Sequence, residues 1–124
     1  MISENDLKAL KGASDKQYKF TLAIFIFLTL LQLFYTYDNV ASAIAHGQAM
    51  GLDIEGVLAM WNSEPELNKH YSGHEVQSLH RLNMGIISFG TALLFAISTA
   101  SMSIRRNRNK RVLNALKECG VINA

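Results

Sequence analysis

A chain of 124 residues with 49% hydrophobic side chains, a formal charge of +2 and a positive mean hydropathy is expected to hold one domain at most, and its hydrophobic content is high for a soluble chain of that size. A single cysteine, Cys119, excludes a disulfide framework within the chain. The apolar residues are not spread as they are in a small globule: they gather in two uncharged blocks, and the charges gather outside them.

Residues 1–19 open with Ser3 and Asp6 at the spacing of a helix start. Ile2, Leu7 and Leu10 form one short apolar edge suited to a membrane surface or a partner, and Gly12 ends it. Ser14 and Gln17 then make an S-x-x-Q capping box, in which the hydroxyl and the amide satisfy backbone N–H groups that a helix start leaves orphaned. A helix is therefore expected from Asp15.

The first uncharged block, residues 20–37, contains eleven Leu, Ile or Phe side chains. At about 0.3 to 0.6 kcal/mol each they favour insertion into a bilayer by roughly 3 to 7 kcal/mol before Gln32 and the threonines are set against them. A secretory signal segment is the rival, with Ala41-Ser42-Ala43 resembling a cleavage site, but the apolar run exceeds the roughly 7 to 15 residues of a signal core. Tyr35 and Tyr37 fall where an aromatic belt marks a membrane boundary, and the first membrane helix is expected to leave there, around Tyr35 to Asp38.

Residues 38–81 read as an extracytoplasmic helical loop. Val40, Ala41, Ile44, Ala45 and Gln48 describe a helical edge, expected to break at Gly47 and Gly51. Asp53 caps a second short helix with Ile54, Val57, Leu58 and Trp61 on one face, which would lie on the outer leaflet or against a partner. Ser63-Glu64-Pro65-Glu66 is a capping box with proline in the first turn, and Ser72 to Glu75 repeats the signal. From there a single helix is expected into the second block, with Val76, Leu79, Asn83 and Ile87 on one stripe.

That second block, residues 82–104, is 23 residues long without a formal charge. As a helix it rises about 34 Å, enough to cross a hydrocarbon core of roughly 30 Å. The tail, residues 105–124, begins with the basic run Arg105, Arg106, Arg108, Lys110 and Arg111, suited to anionic lipid of an inner leaflet. Val112, Leu113, Leu116 and Cys119 then suggest a last short amphipathic helix closed by Gly120.

Lys and Arg number four before the first block, two between the blocks and six after the second, while the connecting segment carries six of the ten acids. By the positive-inside rule both termini are cytoplasmic and the loop faces out, as in a bacterial-type inner membrane. Cys119 then sits in a reducing compartment. The expected fold is an all-α membrane protein, a two-span transmembrane hairpin with short amphipathic helices in the outer loop and at the termini. The basic run is explained by orientation, so nucleic acid is not an expected partner.

Three sets of residues offer function. Ser88, Ala92, Ala96 and Ala100 recur every four residues and make a small-residue ladder, along which another helix can approach closely; Gln32 is the expected hydrogen-bond partner across that interface. Thr91, Phe95, Ser98 and Ser101 make a neighbouring hydroxyl face, either bonded back to its own helix carbonyls or lining a pore of holin or channel type. His70 and His74, four apart in an outer loop that holds all four histidines, are weak candidates for a metal or haem, although Ser72-Gly73 separates them. No catalytic pattern is present, and no cofactor is expected. The sequence favours a small accessory or scaffolding subunit whose partners are the bilayer and other membrane subunits, or further copies of itself.

Overall fold

The computed structural model describes residues 2–64 and 70–122. Among these the chain is all-helical: α1 (Glu4–Lys11), α2 (Asp15–Ala49), α3 (Ile54–Asn62) and α4 (Gly73–Glu118). Both α2 and α4 are long and apolar enough to cross a membrane.

Each helix starts where a short polar side chain can accept from an orphaned N–H. The Ser3 hydroxyl accepts from the Asp6 backbone N–H at 3.1 Å, and the Asp53 carboxylate from Gly56 at 2.7 Å. Ser14 and Gln17 complete the expected box in both directions, each bond 3.2 Å long. Ser72 accepts from the Glu75 N–H at 3.2 Å.

Three of the four helices end at a glycine. Gly12, Gly51 and Gly120 all have positive φ, where a β-carbon would be strained. At the end of α2 the Leu52 N–H donates to Gly47 O and the Gly51 N–H to Gln48 O, the paired bonds of a Schellman turn. Val121 to Leu116 and Gly120 to Lys117 repeat the arrangement after α4.

Two boundaries depart from expectation. α2 does not break at Gly47 but runs on to Ala49, because no proline or turn intervenes, and Gly47 serves packing instead. A β-carbon built there would lie 2.2 Å from Val57 Cγ2, so the missing side chain is what lets α3 dock. The basic run does not separate two helices either: it has no breaker, and α4 continues through it to Glu118. The Ser63 hydroxyl donates to Met60 O at 2.7 Å and closes α3; the box expected from Ser63 to Glu66 falls on Pro65 and Glu66, which lie outside the described residues.

The chain divides into two compact units. In the central unit, Thr29–Leu93, the core is Ala43, Val57 and Leu82, with Val40 and Leu52 packed against it. Ser78 is fully buried and donates to Ala43 O at 2.8 Å, which satisfies its hydroxyl. Gly85 admits α2 closely: a β-carbon there would meet Val40 Cγ2 at 3.0 Å. Asn39 is buried, donating to Tyr35 O at 2.9 Å and accepting from Arg81 Nη1 at 3.2 Å.

The terminal unit comprises Met1–Leu28 and Leu94–Ala124. Its helix segments meet through Phe25 and Phe95, edge to face with centroids 6.0 Å apart, and through the hydroxyls of Tyr18 and Ser103 at 3.0 Å. An edge-to-face pair contributes about 0.5 to 1.5 kcal/mol beyond its area. As the α2 residue advances, its α4 partner recedes, so these two segments run antiparallel.

Candidate functional site

The small-residue ladder is split by the structure. Ser88 and Ala92 are buried within the central unit, whereas Ala96 and Ala100 are exposed. The reason is angular: a step of four residues turns an α-helix about 40° past a full circle, so Ala100 lies about 120° round from Ser88. Half of the ladder is thus occupied by the chain itself. Gln32 is half-buried, and its backbone carbonyl accepts the Thr36 hydroxyl at 2.8 Å.

The hydroxyl face shows back-bonding. Thr91 donates to Ile87 O at 2.9 Å and Ser98 to Leu94 O at 2.8 Å, while Ser101 is exposed. Phe95 turns toward Phe25. Such local bonds satisfy a hydroxyl in an apolar medium without any partner helix.

Among the histidines the structure joins a different pair from the one the spacing suggests. His46 Nδ1 and His74 Nδ1 are 2.9 Å apart, with ring centroids separated by 5.2 Å, so one ring donates while the other accepts. His70 is exposed and outside every helix. Among the described residues, no three His, Cys, Asp or Glu side chains converge as metal ligands. The His46 pairing has no local sequence signal, because its partner is 28 positions away.

The basic run differentiates sharply. Arg106 lies 4.3 Å over the Tyr18 ring, donates to Ala13 O at 3.0 Å, and pairs with Asp15. Its guanidinium is largely buried, so it serves as a structural clamp of the terminal unit. Lys110 Nζ stands 3.8 Å from the same Asp15 carboxylate. The Arg106 hydrogen bond, followed by the nearby Lys110 charge, holds the Asp15 carboxyl below its ordinary value. Arg105, Arg108 and Arg111 remain exposed.

Sequence reasoning missed two polar contacts of the central unit. Trp61 Nε1 donates to Asn83 Oδ1 at 2.7 Å, and Arg81 reaches Asn39. Arg81, at the edge of one uncharged block, meets the side-chain carbonyl of Asn39 beside the other, 42 positions away, so no local spacing links them. Comparison with protein-family models, curated proteins and solved structures gives no match.

Proposed function

We propose that this chain is a two-span helical hairpin of a bacterial-type inner membrane, with both termini cytoplasmic, and that it works as a small accessory or scaffolding subunit assembling with other transmembrane helices. The observation that carries this reading is where the apolar surface lies. The most apolar windows of α2 and α4 are 0% and 17% buried, so the protein itself does not cover them. Phe27, Leu30, Phe34, Leu94 and Ile97 are all more than half exposed. A soluble monomer rarely shows contiguous apolar patches beyond a few hundred Å². Hydrocarbon covers such a surface at no cost, and the division of Lys and Arg supports its orientation.

Assembly must use a face the chain leaves free. Ala96 and Ala100, four apart and exposed, are the part of the ladder still open to a partner helix. Replacing both with leucine is expected to weaken association by about 1 to 3 kcal/mol through overpacking while leaving insertion intact. Ala92→Leu, at a position buried by the chain itself, should instead lower the thermal stability of the protein alone. Detergent pull-down with mass spectrometry, followed by native gels, reads the first effect. A complex that survives Ala96→Leu with Ala100→Leu overturns this face, and ion flux through the purified, reconstituted chain would favour a pore instead.

A further inference from the structure

We infer that the terminal unit carries a binding site for the phosphodiester of one anionic phospholipid, formed where the end of α1 meets the start of α2 and the basic stretch of α4. A cavity of about 390 Å³ opens there, a volume within the roughly 300 to 1,000 Å³ usual for small-molecule sites. Lys11, Arg105 and Lys110 supply cations to its lining, Asn109 supplies a neutral amide, and no carboxylate lines it among the described residues. Arg106 also lines it, but that guanidinium is committed to Ala13 O, Asp15 and the Tyr18 ring, and Lys110 shares the Asp15 carboxylate at 3.8 Å, so these two fix the wall and leave Lys11 and Arg105 to read the ligand.

The remaining lining decides for a lipid over a soluble phosphate. Thr21 and Met102 belong to the inner ends of the two uncharged blocks, and Leu10 and Leu113 add apolar surface beside the cations. A ligand seated here meets cationic donors at one end and hydrocarbon at the other, which is the polarity of a headgroup phosphate above its acyl chains. The planar fork of Arg105 suits two phosphate oxygens, and the Lys11 ammonium group adds a point charge. The site rests on the membrane reading above, and it differs from general attraction of a basic tail to an anionic surface. Attraction of that kind depends on total charge, whereas a cavity depends on which cations line it.

The test uses that difference. The full chain is purified in detergent, equilibrated with equal amounts of dioleoyl phosphatidylglycerol and dioleoyl phosphatidylcholine, and analysed by native mass spectrometry for lipid retained. The expected result is retention of one phosphatidylglycerol in preference to phosphatidylcholine by about tenfold or more, since each nearby cation adds to the attraction. Lys11→Gln with Arg105→Gln should bring the preference to within about twofold of parity. Arg108→Gln with Arg111→Gln removes the same formal charge from residues that do not line the cavity, and should leave the preference standing. Equal losses in the two double variants would overturn the site in favour of diffuse attraction. Displacement of the lipid by millimolar glycerophosphoglycerol would show a site for soluble phosphodiesters and overturn the lipid assignment. Extraction of the wild-type chain from vesicles by alkaline carbonate would instead defeat the membrane reading, independently of either outcome.

Discussion

At the residue scale, Asp15 and Arg106 are the pair that sequence distance hides. Ninety-one positions separate them, and no periodicity links them, so Arg106 reads in the sequence as one of five equivalent cations. The fold makes it unlike its neighbours by stacking it on Tyr18 and capping Ala13 O. Because the Asp15 carboxyl is held below its ordinary value of 3.8, the folded form binds its proton less readily than the unfolded form. The stabilising contact is therefore fully present above that ordinary value and is lost as pH falls through the depressed one. Carboxyl chemical shifts of Asp15 should titrate with a midpoint below 3.8 in the wild type and move upward in Arg106→Gln. An unchanged midpoint in that variant would show that Arg106 does not hold the carboxylate. Asp15 is well exposed, so the loss of overall stability should be small.

At the scale of elements, caps were legible and packing was only half so. Ser3, Ser14, Asp53 and Ser72 each mark the start they announce, because capping is a contact within one turn. Burial within the chain stops at Ala92 along the small-residue ladder for the opposite reason: it follows the helix segment that packs alongside, and that follows mixed steps of three and four. Ser78, Leu82, Gly85, Ser88 and Ala92 are the buried positions of α4, and they keep those steps. Glycines show the same distinction. Gly47 and Gly90 look alike in sequence, yet a β-carbon at Gly47 would strike Val57 while one at Gly90 meets nothing within 4 Å. Gly47→Ala should thus cost about 1 to 3 kcal/mol by displacing the stiff, buried Val57 and loosening α3. Gly90→Ala should gain up to about 1 kcal/mol of helix propensity. Thermal unfolding in detergent measures both, and adding Val57→Ala to Gly47→Ala should recover part of the loss. A neutral Gly47→Ala would mean that α3 does not dock there.

At the scale of the whole molecule, the sequence property that matters is the separation of charge from hydrocarbon, which needs no tertiary contact to be read. It gives two long apolar helices, and the proposed orientation rests on the same physics, since moving Lys or Arg across a bilayer costs more than leaving it behind. What it does not give is the extent of each helix beyond the uncharged block, because the polar stretches after residues 37 and 104 have no breaker to stop them. Orientation yields a test that tertiary structure leaves untouched. With Cys119→Ser as background, single cysteines at Lys8 and Lys110 should resist a membrane-impermeant maleimide in intact cells, and cysteines at Glu55 and His70 should react. Trp61 is a poorer choice, because its indole holds Asn83 and replacing it would disturb the docking of α3. All four chosen side chains are exposed, so accessibility to the reagent is decided by the membrane and not by burial in the protein. Labelling at 110 without labelling at 55 would invert the orientation. Labelling at 8 and 55 but not at 110 would mean a single crossing, and α2 would then lie on the outer surface with its exposed phenylalanines against something other than the bilayer interior.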